Sequence, residues 1–249
     1  VLIMKILQKK MTRDLQKKLL LEGNFIDVKE WQSININQEM YEICNINIEF
    51  NCPNTINKLE KITIPNLPWA ENHFQERING KPLNPGVQWE NWPYYYKSKD
   101  DKRFRSNKGI LFDHTYMERF WPEKKEGIRY KMGDLNDIIE RLKNNLFNRQ
   151  SFLSIWHPED QSNDKSNKRI PCTLGYYFQC RNNKLNVNYF IRSCDAIRHL
   201  NNDLYMTGRL LQYVAEKIGQ NIKVGKIYVW IGNLHCFKTD LQYLKKITK

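Results

Sequence analysis

The chain has 249 residues, with 40 Lys+Arg against 27 Asp+Glu for a net charge of +13, and is 41% hydrophobic and 12% aromatic. Seven Trp, 13 Tyr and 11 Phe exclude a disordered or collagen-like chain and supply apolar material for one core. No apolar run approaches the roughly 18 to 20 residues of a membrane helix, and Val1-Leu2-Ile3-Met4 is too short for a signal-peptide core, so a soluble, cytoplasmic protein with no membrane partner is expected.

From Thr12 onward, Leu15, Leu19 and Leu20 with Gly23 just beyond predict a short amphipathic helix, placed as an edge element. Residues 40–68 mix short apolar stretches with Asn and three prolines, and Lys99 to Gly109 reads as a charged loop. Asp134 is an N-cap for a helix of about three turns with Leu135, Ile138, Ile139, Leu142 and Leu146 on one stripe. Ser151 to His157 is a short apolar run. Thr173 to Cys180 and the alternating Leu185, Val187, Tyr189 and Ile191 read as two strands around an Asn182-Asn183 turn. Asn202-Asp203 opens a long central helix that buries Leu204, Leu210, Leu211, Val214 and Ile218 and ends at Gly219, and Lys226 to Gly232 is a further strand. The expected class is α+β, a mixed sheet backed by helices on one side in a single domain.

The six cysteines, at 44, 52, 172, 180, 194 and 236, form no C-x-x-C pair and read as free thiols, with no metal site. The basic surplus favours anionic partners. Its clusters at Lys9-Lys10, Lys17-Lys18, Lys245-Lys246 and Lys97 to Lys108 read first as solvated faces, and no zinc finger, RNP signature or helix-turn-helix spacing accompanies them. Nucleic-acid binding therefore stands as an alternative of a different class.

G-x-G-x-x-G after a strand, G-x-x-x-x-G-K-[ST], H-E-x-x-H and G-x-S-x-G are all absent. Polar groups instead gather at strand ends: Cys172 after Pro171, Arg192-Ser193-Cys194-Asp195, Asn202-Asp203, and His235 just past a strand in Gly232-Asn233-Leu234-His235. Singly, each has a structural explanation as a small buried thiol, an ion pair, an N-cap or a core histidine. Together, a thiol, a guanidinium, a carboxylate and an imidazole at strand ends form a candidate site.

That order and spacing resembles the thymidylate synthase superfamily, best over residues 149–237, traceable over 69–121 and absent from the first 40 or so. Glu71-Asn72-His73-Phe74 looks like the family's segment carrying its catalytic glutamate, Trp89 and Trp92 match its W-x-x-W, and Tyr116 its active-site tyrosine. The resemblance implies one catalytic domain over 1–249 and a homodimer formed through a sheet face. It also implies a reaction between a pyrimidine nucleotide and 5,10-methylenetetrahydrofolate. Cys172 would add to carbon 6 of the base, making carbon 5 nucleophilic. Arg192 would lower the thiol's pKa and, with Ser193, grip the 5′-phosphate. His235 would meet the sugar's 3′-hydroxyl, Glu71 would manage protons, and Arg149 would reach the neighbouring subunit's phosphate. Asp195 and Asn202 are implied to contact the substrate, and Trp89, Trp92 and Asp195 the folate.

Departures from the family pattern carry the substrate reading. Synthases place Asn where this chain has Asp203. A carboxyl that shares one proton with ring nitrogen 3 suits cytosine, whose amino group donates, whereas an amide suits uracil. Cys172-Thr173 in place of Cys-His and the Asn202-Asp203 pair look like the phage deoxycytidylate hydroxymethylases, so the expected product is 5-hydroxymethyl-dCMP. The chain ending fourteen residues after His235 points the same way, since hydration tolerates a more open site than hydride transfer. Gln150, Phe237 and Ile191 stand where the family has Arg, a sugar-binding Tyr and Gln, which leaves a ribonucleotide substrate open. The alternatives are a thymidylate synthase or dUMP hydroxymethylase, and a non-catalytic nucleic-acid-binding protein on the same scaffold.

Overall fold

The computed structural model describes residues 4–5, 11–31, 34–94, 112–123, 134–161, 169–219 and 221–249. Lys9-Lys10, the basic stretch Lys97 to Lys108 and the loop expected over Lys99 to Gly109 lie outside the described residues.

Alternation of apolar and polar side chains builds the sheet. Its strands are β1 (Met4–Lys5), β2 (Asn24–Trp31), β3 (Ile34–Asn51), β4 (Phe152–Ser154), β5 (Thr173–Arg181), β6 (Lys184–Asp195) and β7 (Lys223–Phe237). Among the described residues they form one seven-stranded mixed sheet in the order β1-β3-β7-β6-β5-β4, with β2 paired to β3. β5 and β6 are the expected hairpin, turned by Asn182 and Asn183 at φ 51° and 56°, a left-handed pair that Asn tolerates. β6 and β7 run parallel, so their C-terminal ends lie side by side, with Ser193 opposite Asn233 and Asp195 opposite His235. β7 is longer than Lys226 to Gly232, and His235 therefore lies inside a strand and not just past one.

β3 takes up the first part of the mixed stretch at residues 40–68. Ile46, Ile48 and Phe50 point into the core while the intervening Asn47 and Glu49 face outward, so the Asn-rich composition is the outer face of a strand. The loop-like signal was local. Pairing with β7 along one edge and with β1 and β2 along the other overrides it.

The helices are α1 (Met11–Glu22), α2 (Ile56–Thr63), α3 (Trp69–Arg77), α4 (Tyr116–Phe120), α5 (Leu135–Asn144), α6 (Leu200–Ile218) and α7 (Leu241–Ile247). α1 is no edge element. Leu15 and Leu19 are fully buried, and Gln16 Nε2 donates 2.7 Å to the Ala196 carbonyl just after β6. α5 has the expected Asp134 cap, a reciprocal capping box with Asp137, and buries Leu135, Ile138, Ile139 and Leu142, but stops before Leu146. α6 connects β6 to β7 and begins at Leu200 with His199 as N-cap, so Asp203 sits within the first turn instead of capping it. That shift releases its carboxyl from the helix terminus.

Five-residue α4 is too short to hold itself in place. A Thr115–Glu118 capping box fixes its start, and Arg119 donates 2.8 Å to Asp160 in a buried ion pair. Arg119→Ala leaves the Asp160 carboxylate buried without its cation and is expected to cost about 3–5 kcal/mol in urea unfolding. A loss below about 1 kcal/mol would show that other donors hold Asp160.

Candidate active site

Cys172 sits one residue before β5, partly buried. Strand pairing and a guanidinium hold it there. Arg192 N donates 2.9 Å to the Cys172 carbonyl, and the same residue's side chain donates from Nε to Pro171 O at 3.1 Å and from Nη2 to Ile170 O at 3.0 Å. Among the described residues, Arg192 Nη1 makes no such bond and is available to an anion. Burial pushes the Cys172 thiol above its usual range, Arg192 and then Arg169 pull it down, and Asp203 and Asp195 push it up again. The thiol thus lies between two cations and two carboxyls.

Tyr116, Thr173 and Tyr189 form a hydroxyl chain beside this thiol, with Tyr116 Oη 3.1 Å and Tyr189 Oη 3.0 Å from Thr173 Oγ1. Asp203 enters the same space from α6, its Oδ2 4.0 Å from Cys194 Sγ. Burial raises its pKa to about 7 against the attraction of Arg77, with Asp195 adding to the rise. Near neutrality its carboxyl therefore exists in both protonation states.

At the paired ends of β6 and β7, Ser193 Oγ lies 3.4 Å from His235 Nδ1, which also lies 3.0 Å from Asn233 Oδ1. His235 is 4% exposed, and its Nε2 is buried with no partner among the described residues. Burial lowers its pKa although Asp195 and Glu42 oppose this, so a neutral imidazole is favoured. Asp195 closes the turn after β6. It accepts from the Ile197 and Arg198 amides at 2.8 and 3.0 Å and from Arg198 Nη1 at 3.0 Å. Although burial opposes it, His235, Arg198 and His199 hold Asp195 below the usual carboxylate range.

Other expected residues lie apart from this cluster. Glu71 is held by Arg209, through Nε at 2.9 Å and Nη2 at 3.0 Å, and by Tyr205 Oη at 2.7 Å. Against its partial burial, the hydrogen bonds from Arg209, Gln75 and Tyr205 lower its pKa. Asn202 is tied to Asn66, donating 3.0 Å to its side-chain carbonyl and accepting 2.9 Å from its amide. One residue along a helix turns a side chain by about 100°, so Asn202 and Asp203 serve different faces. Arg149 is exposed in the turn before β4, where its carbonyl accepts from Tyr177 Oη at 3.0 Å.

Trp89 and Trp92 belong to an aromatic loop, Trp89 edge-on to Phe112 at 4.7 Å and Trp92 stacked on His199 at 5.2 Å. Tyr94 Oη donates 3.1 Å to Ile197 O and ties this loop to the Asp195 turn. A flat heteroaromatic group fits such a wall. The sequence reading missed two cations, Arg169 and Arg77. Arg169 stands two residues before Pro171-Cys172 and was findable from that spacing, whereas nothing local in the sequence of α3 marks Arg77.

The family sequence profile described as thymidylate synthase matches residues 54–249. A deoxyuridylate hydroxymethyltransferase of Bacillus phage SP01 is 29% identical over 189 residues, 69% of this chain and 48% of that protein. A protein of Methanococcoides burtonii, provisionally named a thymidylate synthase, is 29% identical over 140 residues, 55% of this chain and 59% of that protein. The thymidylate synthase of Listeria innocua is 23% identical over 191 residues, 72% of this chain and 59% of the enzyme. The chain spans about half to three fifths of the length of these relatives.

Arg192→Gln removes the larger of the two attractions on the thiol, so the thiolate fraction at a given pH falls. In a Cys44→Ser background, which removes the exposed thiol, iodoacetamide should modify Cys172 severalfold more slowly in Arg192→Gln than in the parent at pH 8. The rate should also rise with pH beyond the ordinary thiol range. Equal rates would mean that Arg192 does not govern the nucleophile.

Proposed function

The chain belongs to the thymidylate synthase family, and on that premise we propose that it is a folate-dependent hydroxymethyltransferase acting at carbon 5 of dCMP. The observation that carries this reading is Asp203, a buried carboxyl that enters the pocket from α6 against Cys194 and that burial pushes up to about 7. In its protonated form it donates to ring nitrogen 3 of cytosine and accepts from the exocyclic amino group.

Cys172, as thiolate, bonds to carbon 6. Arg192 and Arg169 favour the thiolate, and an incoming phosphate takes the remaining Arg192 donor. The Nε2 of His235, without a partner among the described residues, suits a sugar hydroxyl. Tyr116 and Tyr189 orient Thr173 next to the nucleophile. When bound, 5,10-methylenetetrahydrofolate supplies the one-carbon unit, and Trp89, Trp92 and the Asp195 turn would hold it. Glu71 manages protons in this reading only if it leaves Arg209. The SP01 relative, named for hydroxymethyl transfer, supports hydroxymethyl over methyl as the group installed.

That relative also favours a second reading, dUMP as substrate, because a protonated Asp203 imitates an amide and matches uracil as well. The proposed unit is a homodimer. The sheet face away from the helices carries the partly exposed aromatics Phe190, Tyr228 and Trp230 and the exposed Phe152, an apolar surface for a second copy, and Arg149 is exposed beyond it.

Tritium release from carbon 5 of labelled dCMP and dUMP, with methylenetetrahydrofolate and product identification, tests the assignment. Release from dCMP with a hydroxymethyl product is expected, and release from dUMP alone would replace the substrate. For dCMP, kcat/KM should rise with pH as the raised Cys172 thiol ionises and level off once pH passes about 7, because the ionised Asp203 then faces the lone pair of ring nitrogen 3. Asp203→Asn should shift the dCMP-to-dUMP preference by about 10²-fold toward dUMP.

Light scattering should return twice the chain mass. A monomer would leave Arg149 no role in the neighbouring subunit.

A further inference from the structure

Arg77, the last residue of α3, is 6% exposed, yet among the described residues its guanidinium donates no hydrogen bond and meets no carboxylate within ion-pair distance. Its Nε is buried without an acceptor. The guanidinium carbon lies 4.2 Å from the centroid of the Tyr116 ring, the residue whose hydroxyl reaches Thr173 beside Cys172. Trp121 Nε1 donates 2.7 Å to the Arg77 carbonyl and holds the end of α3 in place. A buried cation left with only an aromatic face is costly unless a ligand completes its shell.

We propose that Arg77 is a catalytic cation at the base end of this site, facing the pyrimidine ring beside Asp203 and stabilising the negative charge that the ring acquires when Cys172 adds. This rests on the proposed nucleotide reaction. In that step the thiolate pair forms the bond from sulfur to carbon 6. The π pair between carbons 5 and 6 moves onto carbon 5 and, through carbon 4, onto ring nitrogen 3, where the Asp203 proton meets it. No further reactant is needed.

The electrostatics divide accordingly. Arg192 and Arg169 act on the thiol, Arg169 also on Tyr116, while Arg77 acts on Asp203, Tyr116 and Tyr176 and on His73 of its own helix. Glu71, on the same helix, is occupied by Arg209 and Tyr205, so Arg77 is the charge that α3 brings to this pocket. Asp203 is also faced by Cys172, by Cys194 and Asp195 from β6, and by the phenols of Tyr116, Tyr176 and Tyr189. Among these groups Arg77 is the cation, so its loss raises the Asp203 pKa.

The full chain and its Arg77→Gln, Arg77→Met and Arg77→Lys variants are compared by tritium release from dCMP and dUMP, nucleotide binding by calorimetry, pH profile and thermal melting. Removing the charge is expected to lower kcat about 10²-fold, change nucleotide Kd less than about threefold, and move the pH limb of Asp203 upward. Arg77→Lys should recover at least about tenfold of the loss. If neither neutral variant folds, citrulline installed at position 77, which keeps the shape of the side chain and drops its charge, replaces them. A lowered kcat with a displaced pH limb supports the proposal, and a wild-type kcat and pH limb overturn it. A folded neutral variant with kcat within about twofold of wild type overturns it too, as does a loss confined to KM for the folate, which would assign Arg77 to the co-substrate. Wild-type protein that releases tritium from neither nucleotide would overturn the nucleotide reaction itself, an outcome distinct from failure of Arg77 alone.

Discussion

Arg192 joins the end of one strand to the residue before another. Its amide pairs with the Cys172 carbonyl while its guanidinium bonds the two carbonyls before that residue. These three bonds fix the backbone on which the thiol stands and place a positive charge beside it. The arrangement opposes burial, which keeps the thiol protonated, with a charge that draws it toward thiolate. An anion at Arg192 Nη1, which makes no hydrogen bond among the described residues, would enter that balance directly.

The parallel pairing of β6 and β7 makes the rest of the pocket possible. It requires a crossover, and α6 supplies it. The first turn of that helix lands just beyond the strand ends, where Ser193, Asp195, Asn233 and His235 are already adjacent. Asp203 therefore enters the pocket from a helix, beside Cys194, while His235 enters its far end from a strand. Gln16 from α1 and Tyr94 from the aromatic loop both bond the turn after β6, so distant segments hold this corner together.

Elements with a strong local period were legible. The Asp134 cap, the Asn182-Asn183 hairpin and the apolar stripe of α6 all appear where their residues placed them. β3 was not legible, because Asn at alternate positions has the composition of a loop and only pairing on both edges makes it a strand. Neighbours in sequence also misled. Asn202 and Asp203 read as a pair, but helical rotation sends one to Asn66 and the other to the pocket. Glu71 and Arg77 share a helix, yet the first is drawn to α6 and the second is buried against Tyr116.

The sequence by itself determined the residue types available, their order along the chain and, through the motifs around Cys172, Arg192 and His235, the family. Those signals are local, since a strand end or a turn needs a particular residue whatever surrounds it. Tertiary structure alone decided which charged groups share the pocket, that burial pushes the Asp203 carboxyl up to about 7, and that Arg77 is buried with no carboxylate within ion-pair distance among the described residues. Desolvation and Coulomb attraction depend on distances between segments far apart in the chain, and residue spacing does not carry those distances.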